Sequence, residues 1–462
     1  MTKLDKSVLR EFESIVGSNH ALQEPDLTAG YTTDWTGRFA GESPMVLRPA
    51  DASQLAELVK VAASAGISIV PQGGNTGLVG GSVPLDQEIL ISTLRLDQCE
   101  PVDVLAQQVT VGAGATLTKT QTHASRQGLD VGVDLAARDS CTIGGMIATN
   151  AGGINVVRYG AMREQVLGIE AVLSDGSIIS HLEGLEKDNT GYNFPGLLAG
   201  SEGTLGIITK ARLRLHPQLT ERCSAMIAFS SADDAVAATA QLRRSLPSLH
   251  AVEVIFKEAM HLVSQHIGAS IPIGADAHAW LVVEVAASTD PTEELAKAID
   301  GLGSLPLDVA VGTDTAARAN LWRYREKITE AISTRGTPHK LDVTLGASRL
   351  AEFVNEVPAL ISQIDEGATA VMFGHLGDGN VHVNILGAMG SEPNDKVDDA
   401  VLHYVAHLGG SISAEHGIGT AKKEFLHLNR SESELAAFRA IKSALDPNGI
   451  LNPNVLLPTE SL

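Results

Sequence analysis

Glycine is concentrated in one part of this chain. Residues 66–206 contain 23 of the 45 glycines in under a third of the 462 residues. Helix and strand patterns alternate there: "SQLAELVKVAASAG" predicts a helix that ends at Gly66, and "ISIVP", "QQVTVGAG", "IEAVLSDGSIIS" and "GIITKARLRLHP" predict strands. A residue without Cβ lets the backbone approach a ligand closely, so this pattern predicts a domain whose loops press backbone against a ligand.

The composition excludes several classes of protein. The chain is 44% hydrophobic and 19% charged, which is typical of a globular protein, and its length favours two or three domains. A net charge of −21 argues against a nucleic-acid partner. No apolar stretch reaches the ~18 residues that a membrane helix needs, and "MTKLDKSVLREFESIVGS" predicts an amphipathic helix rather than a signal peptide. Three cysteines without CxxC spacing favour a reduced, cytoplasmic protein.

A second series of predicted strands and helices begins after Pro217. A new cycle of strand and helix begins at "CSAMIAFSSADDAVAATAQLRRSL", and helices and strands then alternate to the end. We found no low-complexity segment and no internal repeat, so a solenoid is excluded. We therefore expect a domain boundary near residue 217.

Three glycine-rich loops carry anion-binding features. They are "VPQGGNTGLVGG" (70–81), "DLAARDSCTIGGMIATNAGG" (134–153) and "AGSEGTLGIIT" (199–209). Consecutive backbone N–H groups in such loops can bind phosphate, and Ser140 or Thr142 can cap a short helix in the second loop. The first loop alone could equally be a surface turn, but three such loops favour a long phosphorylated ligand.

The known nucleotide-binding motifs do not fit. No GxGxxG is present, because "VGAGATL" (111–117) has Leu117 where the last glycine should be, and no GxxxxGK[ST] exists. The ligand must therefore be held in a manner different from that of a Rossmann fold or a P-loop.

A histidine pair follows in the second half of the chain. "VMFGHLGDGNVHVNILG" (371–387) predicts two strands joined by a Gly-Asp-Gly turn, with His382 and Asn384 on one face of the second strand. The turn lets His375 lie beside His382. Further on, "GGSISAEHGIGTAKK" (409–423) carries Glu415 and His416.

Two histidines and a carboxylate are the ligand set of an open catalytic zinc site, and they also suit iron or manganese. Histidines on a hairpin are, however, often satisfied by backbone hydrogen bonds, and the spacing alone leaves both interpretations open.

Candidate groups for binding a substrate carboxylate lie upstream. "LWRYREKITEAIS" (321–333) predicts a helix with Arg325 and Thr329 one turn apart, and "PHKLDVTLG" (338–346) predicts a strand with Lys340. Arginine can bind a carboxylate through two hydrogen bonds. Taken singly, these residues are more typical of an ordinary charged surface than of a binding site.

The three glycine loops and the closing "DPNGILNPN" (446–454), in this order, resemble the FAD-linked oxidases of the vanillyl-alcohol oxidase type, over residues 38 to 455. The resemblance implies an α+β fold: an FAD-binding domain of two α+β subdomains, then an FAD-linked oxidase C-terminal α+β substrate domain. It implies a helical segment 1–37, an FAD domain 38–217, a substrate and metal domain 218–445, and a segment 446–462 that returns to the flavin. Because the first loop lacks the histidine that links FAD covalently in some relatives, non-covalent FAD is expected. The implied FAD-binding residues are Pro71, Gly73, Gly74, Asn75, Thr76, Gly77, Ser82, Asp134, Ser140, Gly144, Gly145, Asn150, Gly152, Gly153, Glu202, Gly203, Ile207 and Asn452.

The second half is similar to the D-2-hydroxy acid dehydrogenase branch of that family, which includes D-2-hydroxyglutarate and D-lactate dehydrogenases. The resemblance implies a divalent metal, zinc first, on His375, His382 and Glu415. It implies that Arg325, Thr329 and Lys340 hold the substrate carboxylate, that Asn384 orients the substrate, and that His416 both contacts the substrate and is the catalytic base.

The favoured substrate is D-2-hydroxyglutarate, with D-lactate and D-malate as alternatives. The runner-up function is an oxygen-using oxidase on the same scaffold, which the sequence does not distinguish. The Arg325–Lys340 pair and the metal site beside three flavin loops disfavour a zinc hydrolase with structural FAD. The complete metal-ligand set and His416 argue against a flavin module without turnover. The electron acceptor could be an electron-transfer flavoprotein or a quinone, and the resemblance makes a homodimer plausible.

Overall fold

The computed structural model describes residues 5–458. Residues 1–4 of the predicted N-terminal segment and residues 459–462 of the predicted C-terminal segment lie outside this range. The helices are α1 (Lys6–Val16), α2 (Pro25–Thr32), α3 (Ala52–Ala65), α4 (Leu117–Ser125), α5 (Ile143–Thr149), α6 (Val156–Tyr159), α7 (Met162–Gln165), α8 (Phe194–Leu198), α9 (Ala232–Ser245), α10 (Lys257–Ile267), α11 (Thr292–Asp300), α12 (Thr315–Glu326), α13 (Ile328–Ser333), α14 (Ala347–Ile364), α15 (Lys396–His407) and α16 (Glu432–Leu445).

The strands alternate with these helices, and short 3-10 helices occur at Ser18–His20, Ala388–Gly390 and Lys423–Leu428. The strands are β1 (Ala21–Leu22), β2 (Val46–Leu47), β3 (Ile69–Gln72), β4 (Ile89–Ser92), β5 (Gln108–Gly112), β6 (Leu129–Val131), β7 (Val166–Val172), β8 (Ile178–His181), β9 (Ile207–Pro217), β10 (Glu221–Phe229), β11 (Leu249–Phe256), β12 (Ala279–Ala287), β13 (Pro306–Gly312), β14 (His339–Thr344), β15 (Thr369–His375) and β16 (Asn380–Leu386).

The chain forms two compact units. Unit 1 contains residues 5–152, 160–217 and 415–458 of the described chain, and unit 2 contains residues 153–159 and 218–414. Among the described residues, no helix is long and apolar enough to cross a membrane.

Unit 1 has two sheets. In the first, of order β1-β2-β4-β3, strand β4 is parallel to both β2 and β3, and helices α1 and α3 contribute to the core. Helix α3 ends at Gly66 in the left-handed conformation (φ 64°), as the sequence predicts. In the second sheet β9 pairs with β5, β6 and β7, and β7 pairs with β8, in every case antiparallel.

Unit 2 is built on one antiparallel sheet of order β13-β10-β12-β11-β15-β16-β14. One hydrophobic core of this unit combines β10, β11, β12 and β15 with helices α10, α12 and α13. Together with unit 1, this confirms the predicted α+β class. The hairpin predicted at 371–387 is confirmed as β15 and β16.

Two predicted elements were wrong in detail. "IEAVLSDGSIIS" is not one strand but the ends of β7 and β8, because a turn at Gly176 (φ 78°) reverses the chain. The single helix predicted over 321–333 is interrupted at Lys327 (φ −88°, ψ 0°), where α12 ends and α13 begins. Arg325 and Thr329 therefore lie on two helices, and the one-turn spacing that was assumed for them does not apply.

Candidate active site

The first two glycine loops pack against each other within unit 1. A Cβ atom on Gly74 would overlap the carbonyl of Ser140, and one on Gly73 would overlap the hydroxyl of Thr142. A Cβ atom on Gly144, in the second loop, would lie 2.6 Å from the Cβ of Ala113. These positions therefore leave no room for a side chain, and the first two loops form one surface.

The third loop and the closing segment join the first loop. Gly203 (φ 74°) packs on the ring of Pro71. The Asn452 side-chain amide donates to the carbonyls of Gly81 (2.9 Å) and Glu202 (2.7 Å), and Asn452 N–H donates to Ile69 O (2.8 Å). The four motifs, apart from Gly153 at the end of the second loop, thus lie together in unit 1.

Several other residues predicted to bind FAD hold these loops in place. Asn75 (φ 53°) donates to Thr33 O (2.8 Å) and accepts from the Ser82 hydroxyl (3.1 Å). Asn150 (φ 52°) accepts from Arg163 N–H (2.9 Å) through its side-chain oxygen. Contact of these residues with FAD remains a prediction.

The remaining predicted cofactor residues have varied environments. Thr76 O accepts from the Trp35 indole (3.1 Å), Asp134 forms an ion pair with Arg138 (3.0 Å), and Ile207 is in the hydrophobic core. Gly153 is assigned to unit 2. At Gly77 and Gly145, an added Cβ atom would have no neighbouring atom closer than 3.0 Å.

A buried hydroxyl in the second loop fits a bound ligand. Thr142 is the N-cap residue of α5, but its side chain makes no cap hydrogen bond, contrary to the prediction that Ser140 or Thr142 would cap this helix. Its Oγ1 is buried, and no hydrogen-bond partner for it lies among the described residues. Buried hydroxyls nearly always have a partner, so the loops fit a cofactor with polar atoms at this position.

We expect Gly74→Ala to weaken FAD binding at least tenfold and to lower the melting temperature by roughly 5 °C, because overpacking costs about 1–3 kcal/mol. FAD affinity by fluorescence titration and a thermal melt would measure both. Gly191→Ala is the control, since a Cβ there meets nothing within 4 Å. Equal FAD affinity in the two variants would contradict a cofactor role for the paired loops.

Glu202 supports the loop that follows Glu415 and His416. Its two carboxylate oxygens each accept a backbone hydrogen bond of 2.7 Å, from Ile418 N–H and Gly419 N–H. Burial raises the pKa of Glu202 to about 7, although these two N–H groups and the charge of Lys422 act in the opposite direction.

This pKa predicts that stability falls as pH rises. An unfolded glutamate titrates at about 4.3, so between about pH 4 and pH 7 the folded chain keeps a proton that the unfolded chain releases. The effect on the free energy of unfolding is about 4 kcal/mol over this range, at about 1.4 kcal/mol per pKa unit. The free energy of unfolding is measured with urea at pH 5 and pH 8, and we expect Glu202→Gln to remove this part of its fall between the two. Glu11→Gln, at an exposed position, is the control. If the free energy of unfolding falls as much in Glu202→Gln as in Glu11→Gln, the assignment to Glu202 is wrong.

The two hairpin histidines lie side by side in unit 2. Phe373 on β15 pairs with His382 on β16, and the rings of His375 and His382 are 5.2 Å apart, edge to face. This confirms the predicted neighbourhood of the two rings.

Each of these histidines is held by a buried carboxylate that the sequence analysis did not identify. His375 Nδ1 is 2.7 Å from Oε1 of Glu253, and His382 Nδ1 is 3.1 Å from Oδ1 of Asp342. Both acids are fully buried. A ring whose Nδ1–H donates to a carboxylate offers Nε2 to a metal, and metal-binding histidines are commonly held in this way.

The sequence predicted His375, His382 and Glu415 as the metal ligands. His375 and His382 are the members of this set that lie in unit 2, and each offers a ligand atom within 4.8 Å of the other. Asp342 lies beside His382, but its carboxylate already accepts from His382 and from the Asn380 amide (2.6 Å). The two histidines are therefore the better metal-binding groups of unit 2, and Glu415 as the third ligand remains a prediction.

Two of the predicted substrate-binding residues, Lys340 and Asn384, lie near the hairpin histidines in unit 2. Lys340 on β14 pairs directly with Asn384 on β16, two residues along from the pair Asp342 and His382. Directly opposed residues of an antiparallel pair share a face of the sheet. Lys340, Asn384 and His382 therefore occupy one face.

Arg325, at the end of α12, is fixed at two points. Its Nε donates to Oε2 of Glu253 (2.7 Å), and its guanidinium carbon is 4.6 Å from the centre of the Phe373 ring. Thr329, after the helix break, is exposed. Burial by itself would raise the pKa of Glu253, but the positive charges of His375 and Arg325 hold it below the ordinary value.

Family models match both halves of the chain. Residues 43–181 match an FAD binding domain, and residues 218–456 match the C-terminal domain of FAD linked oxidases. The chain belongs to the FAD-linked oxidase family. The predicted FAD-binding domain and FAD-linked oxidase C-terminal domain are confirmed.

Named relatives of this FAD-linked oxidase cover nearly its whole length. A D-2-hydroxyglutarate dehydrogenase of Xanthomonas citri pv. viticola is 37% identical over 94% of each chain. A probable mitochondrial D-2-hydroxyglutarate dehydrogenase of Oryza sativa subsp. indica is 35% identical over 98% of this chain and 82% of its own. A putative mitochondrial D-lactate dehydrogenase of Schizosaccharomyces pombe is 32% identical over 98% and 90%.

Solved structures share the fold of the FAD-linked oxidase. A p-cresol methylhydroxylase with substrate bound matches with a TM-score of 0.78, at 16% identity over 97% of this chain and 96% of its own. An alkyldihydroxyacetonephosphate synthase matches with a TM-score of 0.74, at 18% identity over 98% and 85%.

Proposed function

We propose that the enzyme oxidises a D-2-hydroxy acid to the 2-oxo acid, with D-2-hydroxyglutarate as the favoured substrate and with non-covalent FAD and one divalent metal ion as cofactors. The observation that carries the proposal is the arrangement in unit 2. Two histidines oriented by buried carboxylates lie beside an arginine that shares one of those carboxylates. Metal ligands and a carboxylate-binding group next to each other suit a molecule with a hydroxyl beside its carboxylate.

In this proposal His375, His382 and Glu415 hold the metal, zinc first, with iron and manganese as alternatives. A metal bound there would lower the pKa of the substrate hydroxyl, and bound FAD would supply the acceptor for the hydride of the carbon that bears this hydroxyl. The two loops with Gly74 and Ser140 are part of the proposed FAD site.

The other residues bind the substrate and move one proton. Arg325 and Lys340 hold the substrate carboxylate with Thr329, and charge-assisted hydrogen bonds make such binding strong. Asn384 orients the hydroxy acid. His416 contacts the substrate and accepts the hydroxyl proton, since a neutral imidazole is a suitable base near neutral pH.

The substrate class has two further candidates. The similarity to a putative D-lactate dehydrogenase supports D-lactate, and D-malate shares the same reacting group. An oxidase that passes electrons to oxygen remains an alternative on this scaffold. The relatives named D-2-hydroxyglutarate dehydrogenase favour the dicarboxylic substrate.

The remaining features are also proposals. We assign residues 38–217 to FAD binding, residues 218–445 to substrate and metal, and residues 446–462 to the flavin side, with 1–37 as a helical segment. An electron-transfer flavoprotein or a quinone is the proposed acceptor, the cytoplasm is the proposed location, and a homodimer is the proposed assembly.

Anaerobic spectroscopy of the purified enzyme tests this function. D-2-hydroxyglutarate, D-lactate, D-malate and their L-forms are added in turn, with and without a chelator. We expect loss of the oxidised-flavin absorbance with D-2-hydroxyglutarate, and no loss after chelation. Flavin reduction by another D-acid alone would identify that acid as the substrate instead. Reduction that survives chelation would show that the mechanism does not need the metal. No reduction by any of the acids would refute the proposed function.

A further inference from the structure

Glu253 is a charge in the centre of an apolar strand. All residues of β11, "LHAVEVIF", are buried, and β11 lies between β12 and β15 in the seven-stranded sheet. Isolating a carboxylate from water costs several kcal/mol unless partners compensate. A glutamate is therefore retained here only with strong partners.

Each carboxylate oxygen of Glu253 serves a different partner. Oε1 is 2.7 Å from His375 Nδ1, and the two residues are direct cross-strand neighbours in the register of β11 and β15. Oε2 accepts from Arg325 Nε at 2.7 Å. One side chain thus contacts both a proposed metal ligand and a proposed substrate-binding residue.

These two contacts fix what the partners can do. Because His375 binds Glu253 through Nδ1, it can use only Nε2 toward a metal. Because Arg325 binds Glu253 through Nε and stacks on Phe373, its plane is set and its terminal nitrogens are directed to other acceptors. Two parallel hydrogen bonds from a fixed guanidinium are the strongest way to bind a carboxylate.

We propose that Glu253 is a positioning residue that sets the distance between the metal ligand His375 and the carboxylate-binding Arg325. This rests on the proposed function. In a 2-hydroxy acid the hydroxyl and carboxylate are on adjacent carbons, so the groups that bind them must stay at a fixed separation. A rigid buried carboxylate that holds both provides it, and metal binding and substrate binding depend together on Glu253.

Glu284 provides a matched control. It lies on the neighbouring strand β12, is buried, and forms an ion pair with Arg222 (2.6 Å) and hydrogen bonds with Ser224 (3.0 Å) and Trp322 (3.1 Å). It is a second buried glutamate–arginine pair in the same sheet. Glu284→Gln should therefore reproduce the structural cost of Glu253→Gln without its effect on either proposed subsite.

The experiment compares Glu253→Gln, Glu284→Gln and the unchanged holoenzyme. Zn²⁺ affinity is measured by competition with a chromogenic chelator, and the apparent Kd for D-2-hydroxyglutarate by anaerobic flavin reduction at saturating Zn²⁺. We expect Glu253→Gln to weaken Zn²⁺ binding by 10- to 100-fold, the usual range for such a partner, and to raise the substrate Kd at least about tenfold. Glu284→Gln should change neither.

Three outcomes would overturn the inference. Effects of Glu253→Gln no larger than those of Glu284→Gln would leave Glu253 with a structural role only, and a change in one of the two affinities alone would refute the shared role. An unchanged enzyme that binds no Zn²⁺ would refute the metal site itself, and the inference with it. Glu253→Asp keeps the charge but is one methylene too short to reach both partners, so it should show the same two losses if Glu253→Gln fails to fold.

Discussion

His382→Ala is expected to lower the rate of flavin reduction by D-2-hydroxyglutarate about a thousandfold or more. Metal binding lowers the pKa of a bound water from about 16 to about 7, and a metal contributes several kcal/mol to stabilising developing charge. Each 1.4 kcal/mol is about tenfold in rate. Losing one of three ligands removes most of this contribution. Stopped-flow absorbance under anaerobic conditions would measure the rate.

The variant should keep its FAD, because the proposed FAD loops belong to unit 1 and His382 to unit 2. His403→Ala is the control: His403 is a half-exposed histidine on α15 beside Asp399, and it is not one of the proposed metal ligands. A reduction rate within tenfold of that control would show that the histidine pair is not needed for the chemistry. Loss of the flavin spectrum would instead assign His382 a structural role.

The sequence predicts local elements of this site well where turn chemistry and side-chain period agree. The Gly-Asp-Gly turn between two strands of alternating pattern fixes the hairpin, and the hairpin brings His375 and His382 together. The glycine loops are also predictable, because only glycine tolerates the close approach seen at Gly74. Which loop packs on which depends on contacts between distant segments, such as Asn452 with Gly81, and no local pattern encodes them.

The residues that the sequence analysis missed are acids inside apolar strands. Glu253 in "LHAVEVIF" and Asp342 in "HKLDVT" each stand singly among hydrophobic neighbours, and this could have been noticed, because a lone buried acid needs a partner. Which partner it has depends on strand pairing: β11 with β15 for Glu253, and β14 with β16 for Asp342. His375 follows Glu253 by 122 residues, and His382 follows Asp342 by 382 − 342 = 40 residues. The pairing of strands so far apart in the sequence is set by tertiary packing.

The break at Lys327 has a similar origin. Every residue of "LWRYREKITEAIS" tolerates a helix, so the local sequence favours one continuous helix. In the folded chain Tyr324 and Ile328, on either side of the break, are both buried in the same core. Tertiary packing overrides the local preference there, and it leaves Arg325 at a helix end where its side chain reaches Glu253.

Arg325→Met is expected to have two separate effects. Losing two charge-assisted hydrogen bonds to the substrate carboxylate should raise the apparent Kd for D-2-hydroxyglutarate at least about a hundredfold, at about 1.5–3 kcal/mol for each bond. Leaving Glu253 without its arginine should also lower the free energy of unfolding by about 3–5 kcal/mol. Anaerobic titration of flavin reduction measures the first effect, and urea unfolding measures the second.

Arg222→Met separates the two effects, because Arg222 pairs with Glu284 as Arg325 pairs with Glu253. It should lose stability and keep substrate affinity. Adding Glu253→Gln to Arg325→Met removes the unpaired buried charge, so the double variant should regain stability and still bind substrate weakly. If the double variant recovers substrate affinity along with stability, Arg325 acts only as the structural partner of Glu253, and the carboxylate-binding role belongs to another cation.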